Sequence, residues 1–272
     1  MDRRRFLQIS GMSSVGAFGC GIPLLRAATG IAEQDHGPQA VASNQWAMVI
    51  DLQKCTDERL RAACSEACHR EHNVPHIPDD EEEVKWIWTE RYEGVFPDQT
   101  HANAAQNGTP VLVLCNHCTN PPCVKVCPTK ATFKRESDGI VVMDMHRCIG
   151  CRYCMAACPY GARSFNWRDP GPYIAEEDRK RYPVRDRGVV EKCTFCSKRI
   201  REWEKRIEAD PQLLESEPRP VPACVEAANA LQDGAMRFGK LDDPEIRRIL
   251  EENNTICRRV GLGAGPNVYY IV

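Results

Sequence analysis

At 272 residues and a formal charge of −2, the chain is long enough for one large domain or two small ones, and it has no basic stripe to serve nucleic acid. Sixteen cysteines and nineteen prolines favour two small domains. Disulfides would account for the cysteines of a small secreted scaffold, but tight C-x2-C-x2-C runs suit metal better than pairwise bridging.

Residues 1–32 carry four of the basic residues and one acidic one. Arg3, Arg4 and Arg5 are followed by Phe6, Leu7 and Gln8 and then by a Gly/Ser-rich apolar stretch from Ile9 to Leu25. This order resembles a twin-arginine export signal, and Cys20 reads as a filler of its apolar region. That route carries folded proteins whose cofactors are inserted in the cytoplasm, so it implies a periplasmic location. The stretch is short and broken by Pro23, so it is a poor membrane span; whether it is cleaved or stays as an anchor is open.

Trp46 to Leu52 has the apolar content of a buried strand leading to Cys55. In KCTDERLRAACSEACHREHNVP, Cys64-x3-Cys68 matches the end of a ferredoxin run. The beginning does not match, because Cys55 lies nine positions before Cys64 and Arg61 stands where a second cysteine belongs. His69, His72 and His76 read as polar loop residues, since clusters rarely need imidazole. Asp79 to Glu83 reads as a solvated helix start. Trp86, Trp88, Tyr92 and Phe96 are expected to pack over a small core; exposed, they would form a docking surface.

Val111 to Leu114 is predicted as a strand delivering Cys115. Two runs follow, CNHCTNPPCVKVCP and CIGCRYCMAACPY, the second with the C-x2-C-x2-C-x3-C-P spacing of bacterial two-cluster ferredoxins. Such a loop folds around three corners of a cubane and cannot reach the fourth, so each fourth cysteine, followed by Pro128 or Pro159, ligates the neighbouring cluster. One cluster would use Cys115, Cys118, Cys123 and Cys158, the other Cys148, Cys151, Cys154 and Cys127. Tetrahedral zinc is the alternative for any isolated C-x2-C pair. Residues 131–144 are predicted as a hairpin turning at Ser137-Asp138-Gly139, and a short helix is expected after each fourth cysteine.

Residues 166–188 are rich in Pro, Gly and charge and read as a long surface connection. A fourth group, Cys193-x2-Cys196, is followed by a charged helical insert over 197–217 interrupted at Pro211, then by Cys224 and, four positions on, Ala228 where a cysteine would complete the run. Leu241 to Glu252 suggests a helix with Pro244 in its first turn, and Asn267 to Val272 a closing strand. No nucleotide loop, poised nucleophile or substrate motif appears, which leaves one-electron transfer, with no direct small-molecule substrate, as the chemistry of such clusters.

From about Trp46 onward the chain resembles the four-cluster iron-sulfur subunits of membrane-associated oxidoreductases, the group of the beta subunits of dimethyl sulfoxide reductase, formate dehydrogenase and polysulfide reductase and of NrfC. The residues that carry this are CNHCTNPPCVKVCP, CIGCRYCMAACPYGAR, GVVEKCTFCSKRI, PACVEA and MRFGKLDDP. The resemblance implies an α+β fold of two bacterial-ferredoxin-like domains with inserted loops and a C-terminal extension. Residues 44–110 with 185–272 would form the first domain (cysteine groups one and four), and residues 111–184 the second.

The same crossover rule then assigns Cys193, Cys196, Cys224 and Cys68 to a third cluster. Position 61 and position 228 of a fourth are Arg61 and Ala228, so three [4Fe-4S] clusters are expected. Cys55 and Cys64 are left either as bare thiols, free or bridged, or as ligands of a further cluster joined by Cys257. Within the family, CHREHNVP, KWIWTERY and PACVEAANA resemble the iron-sulfur subunits of sulfite-reduction-associated Dsr membrane complexes. That likeness implies two partners: an NrfD-like integral membrane subunit that interacts with quinone, and a periplasmic multihaem cytochrome c. The broader alternative is the beta subunit of a molybdopterin oxidoreductase.

Overall fold

The computed structural model describes residues 44–272, apart from 100–103, 180, 181, 184 and 217. The export signal expected over residues 1–32 lies outside the described residues. Strand β1 (Trp46–Asp51) shows no polar alternation because it is a central strand: every side chain from Trp46 to Ile50 is buried. A single 3-10 turn holding Cys55 leads into helix α1 (Glu58–His72). Asp57 caps this helix by accepting the Arg59 N–H at 2.9 Å, and Asn73 ends it in the left-handed region with φ 50°. Leu60, Cys64, Cys68 and His72 recur every four residues and form its buried stripe. His69 and His72 are therefore helical, which corrects their reading as loop residues.

Asp79 to Glu83 does not begin a helix. Asp79 closes a turn instead, its side chain accepting the Glu81 N–H and its carbonyl the Glu82 N–H, the local bond that aspartate offers in competition with a helix. Strand β2 (Ile87–Arg91), the single-turn α2 (Tyr92–Val95) and strand β3 (Pro110–Leu114) follow, with Ile87 opposite Leu114. Trp86, Tyr92 and Phe96 are buried and Trp88 packs beside them, so these aromatics belong to the core.

Next come the single-turn α3 (Pro122–Lys125), the hairpin of β4 (Thr132–Lys134) and β5 (Val141–Met143), and the single-turn α4 (Tyr153–Ala156). Both helical turns precede the fourth cysteine of their run rather than follow it. Pro128 and Pro159 account for this order: proline disfavours helical geometry at the residue before it and has no N–H to continue a helix.

Strand β6 (Ser164–Phe165) pairs with β7 (Val190–Glu191) across the long connection, whose end is not a surface loop, because Arg185 is buried. The insert forms α5 (Ser197–Ala209) and α6 (Leu213–Ser216), parted at Pro211. Then come α7 (Ala223–Leu231), β8 (Met236–Lys240), and α8 (Pro244–Glu252), which starts at its proline under an Asp243 cap rather than at Leu241. Strands β9 (Thr255–Ile256) and β10 (Val268–Ile271) finish the chain.

The largest sheet has the order β8-β1-β10-β9, with β1 parallel to β10 and antiparallel to β8. Residues at opposite ends of the described chain thus share one sheet, and α1 packs on α7 beside it. The fold is mixed α and β. Among the described residues no helix is long and apolar enough to cross a membrane.

Candidate metal centre

Strand β3 delivers Cys115 from the core, and the loop beyond it turns through His117 at φ 41°. In the second run Gly150 sits at φ 69°, and a Cβ there would lie 2.4 Å from the Gly188 carbonyl oxygen, so glycine is required between Cys148 and Cys151. Cys115, Cys118, Cys123 and Cys158 line one cavity together with Asn116, Tyr160 and Arg163. The last cysteine of one run therefore joins the first three of the other. Cys154 neighbours both Cys148 and Cys123 in a second buried cluster. Cys127 follows α3, which packs on α4, and its sulfur accepts the Thr132 N–H at 3.5 Å. Burial would raise that thiol, but this bond and those around Thr129 and Ala131 outweigh it and hold the thiol below its ordinary range. Cys151 is half-buried in the loop before α4.

A third group gathers residues far apart in sequence. Burial, with Cys193, Cys224 and Cys196 close by, drives the Cys68 thiol well above its ordinary range. The Phe195 N–H points at the Cys193 sulfur and the Ala223 N–H at the Cys196 sulfur, both at 3.4 Å. Sequence reasoning missed His72, whose Nε2 stands 3.1 Å from the Cys196 sulfur while its ring stacks on Trp86. Burial lowers this imidazole to about 4, so it is neutral at ordinary pH and stands within hydrogen-bonding distance of the sulfur. The four-residue spacing of Cys64, Cys68 and His72 was the available signal.

These groups adjoin one another. Cys154 neighbours Cys123, Cys193 neighbours Cys115, and Cys224 neighbours Cys64.

Outside these groups lie Cys55 and Cys64, both fully buried. Cys55 donates to the Ala235 carbonyl at 3.5 Å and Cys64 to that of Cys224 at 3.4 Å. Burial pushes each to about 12, so both are protonated donors. Arg61 is turned away from metal chemistry, donating to the Cys55 carbonyl at 3.0 Å and to that of Thr56, and Ala228 is a buried core residue of α7. Cys257 lies near Tyr160, Tyr269 and Tyr270. At pH 8 only about one in ten thousand of the Cys55 and Cys64 thiols is the reactive thiolate. Iodoacetamide is therefore expected to spare both in the folded protein and to label both after unfolding. Mass spectrometry of the native reaction checks this, and labelling of either thiol there contradicts the arrangement.

The donor set fits a cluster better than one ion. Tetrahedral zinc needs its sulfurs about 2.3 Å from a single centre. Among the described residues no three Cys, His, Asp or Glu side chains are gathered that closely. The cavity also holds buried polar groups without a protein oxygen or nitrogen partner, namely Nε and Nη2 of Arg163 and the Asn116 amide, as an anionic, sulfur-rich occupant requires. Paired thiol sets of this kind define a dicluster iron-sulfur protein, and residues 111–171 match the 4Fe-4S dicluster domain family.

The whole chain has relatives as well. It is 42% identical to the Hdr-like menaquinol oxidoreductase iron-sulfur subunit 1 of Archaeoglobus fulgidus, over 99% of this chain and 97% of that one. It is 41% identical to the menaquinone reductase iron-sulfur cluster-binding subunit of Nitratidesulfovibrio vulgaris, over 84% and 88%, and 32% identical to a tetrathionate reductase subunit of Salmonella typhimurium, over 99% and 88%. The chain belongs to this family of iron-sulfur subunits, of the menaquinol oxidoreductase, NrfC and tetrathionate reductase type. It is an electron-transfer protein that carries [4Fe-4S] clusters.

Proposed function

We propose that the chain binds three [4Fe-4S] clusters and relays electrons between a quinone-interacting, NrfD-like membrane subunit and a periplasmic multihaem cytochrome c, in the manner of DsrO in a Dsr-type sulfur-metabolism complex. Each bound cluster supplies a one-electron couple. The ligands are Cys115, Cys118, Cys123 and Cys158 for one, Cys148, Cys151, Cys154 and Cys127 for the second, and Cys193, Cys196, Cys224 and Cys68 for the third. The observation that carries this is the succession of neighbouring thiols, Cys148 with Cys154, Cys154 with Cys123, Cys115 with Cys193 and Cys193 with Cys196. The bonding of the Cys55 and Cys64 thiols to backbone carbonyls, with Arg61 and Ala228 at the other two corners, supports three clusters rather than four. The pairing of β1 with β8 and β10 supports one ferredoxin-like domain from residues 44–110 with 185–272, and runs two and three supply the other over 111–184.

The relatives named for menaquinol oxidation and menaquinone reduction support a quinone-linked membrane partner. The twin-arginine pattern supports a periplasmic location, with membrane association through partner subunits. A second reading, the beta subunit of a molybdopterin oxidoreductase, is favoured by the likeness to tetrathionate and selenate reductase subunits. Purification of the native complex, with metal and haem analysis, decides between them. About twelve iron atoms per chain, haem c and no molybdenum are expected. Molybdopterin in the complex overturns the Dsr reading, and about sixteen iron atoms per chain overturn the three-cluster count.

A further inference from the structure

Arg163 stands between two of the thiol groups. It is 5% exposed and lines the cavity of Cys115, Cys118, Cys123 and Cys158. Its Nη1 donates to the Thr132 hydroxyl at 3.1 Å and approaches the Met143 sulfur at 3.8 Å. Thr132 is itself tied to the adjoining group, since its backbone N–H points at the Cys127 sulfur. The remaining Nε and Nη2 bond to no protein oxygen or nitrogen, the guanidinium reaches the Cys123 and Cys154 sulfurs, and none of the hydrogen bonds of Arg163 goes to a carboxylate. Burial alone would lower its guanidinium, yet Cys123, Cys154 and Cys115 hold it above the ordinary arginine range. Those three sulfurs belong to both groups.

Another buried arginine is arranged differently. Arg185 is neutralised within the protein, donating to Glu191 at 2.6 Å. A buried guanidinium without a carboxylate is costly unless negative charge lies close by. A cubane on four thiolates is negative and becomes more so by one charge when it accepts an electron.

Resting on the ligand sets proposed above, we infer that Arg163 is a shared cation that raises the reduction potentials of the two clusters held by runs two and three. A fixed positive charge favours the more negative, reduced form, and its effect falls with distance. The third cluster, held by Cys68, Cys193, Cys196 and Cys224, feels it least. The two neighbouring clusters are thereby kept within reach of the same electron, and the side chain acts by tuning, without carrying an electron itself.

The full chain with Arg163→Gln, purified anaerobically in its complex, is compared with wild type by iron analysis and by an EPR-monitored redox titration. Iron content is expected to be unchanged while two of the three midpoint potentials fall by at least tenfold in the reduction equilibrium, about 59 mV for a one-electron couple. The unmoved signal should be the one lost in Cys68→Ala. Arg163→Lys, which keeps the charge on a shorter side chain, should move the same two potentials by less. Full iron with no potential moved, or with only the Cys68-dependent one moved, overturns the inference. Should Arg163→Gln lose iron, Arg163→Lys decides. Full iron with a shift confined to the same two potentials supports the inference. Full iron with no shift, or loss of iron in both variants, overturns it. Wrong ligand sets would be recognised separately, in the iron counts of the cysteine variants and of wild type.

Discussion

Cys68→Ala should remove about four iron atoms per chain, leaving about eight, whereas Cys64→Ala, one helical turn away on α1, should remove none. The two cysteines share a stripe, a helix and a depth of burial, so composition cannot separate them. Their neighbours do. Cys68 faces Cys193, Cys196 and Cys224, while Cys64 donates to a backbone carbonyl and has Cys55, which also donates to a carbonyl, beside it. Losing one of four thiolates leaves a cluster with an open corner, and loss of the whole cubane is the expected result. Losing Cys64 removes one small apolar side chain from the core, at about 1 kcal/mol. Iron analysis and the visible absorbance of the two purified variants check the contrast. Loss of iron in Cys64→Ala would show that a fourth cluster exists and would reopen a ligand role for Cys55 and Cys257.

If the contrast holds, the electron path ends one cluster short of the four-cluster pattern. The terminal site is then the group around Cys68 and Cys196, where the neutral His72 ring hydrogen-bonds sulfur and α1 with α7 supplies the cover. A partner at that end must reach past Cys55 and Cys64, which together occupy the place of a further stepping stone. Two of its four corners, Arg61 and Ala228, lie on the helices α1 and α7, where Arg61 bonds to backbone carbonyls and Ala228 is buried.

What the sequence made legible was local. Runs two and three could be read because a ligand spacing of two or three residues leaves few other uses for cysteine. β1, β3, the hairpin at Gly139, and the break at Pro211 followed from apolar runs and turn residues. The errors came where a second interaction competed. Asp79 bonds its own backbone and so makes a turn where an acidic run suggested a helix. The prolines after Cys127 and Cys158 push each helical turn ahead of the cysteine. His72 reads as a loop residue on the ground that clusters rarely need imidazole, yet its four-residue spacing from Cys68 puts it on the buried stripe of one helix. Arg163 and Arg185 were invisible for a different reason: arginine is expected at the surface, and only the folded contacts, with Thr132 for one and with Glu191, Asn73 and His72 for the other, show why each is inside.

Glu191→Ala should be the most destabilising single change away from the thiols, by about 3–5 kcal/mol, because it strands a buried charge. Glu191 is fully buried on β7, and one carboxylate oxygen accepts both the Arg185 guanidinium at 2.6 Å and the Trp86 indole N–H at 3.0 Å. The other accepts the Asn166 amide at 2.5 Å. Arg185 in turn donates to the carbonyl of Asn73 at 2.9 Å and to that of His72, which would otherwise be unpaired at the end of α1. Glu191 therefore joins the strand that precedes Cys193 to the helix end that carries Cys68 and His72. Its removal leaves the Arg185 charge, the indole N–H and the Asn166 amide short of an acceptor at once. Glu191→Gln keeps acceptor capacity without the charge and should cost less. Guanidinium titrations followed by tryptophan fluorescence would rank the two variants, and a loss below about 1 kcal/mol for Glu191→Ala would refute the network. The same displacement frees the last turn of α1, so iron held by Cys68, Cys193, Cys196 and Cys224 should be lost from Glu191→Ala at lower denaturant than the iron of the other two clusters.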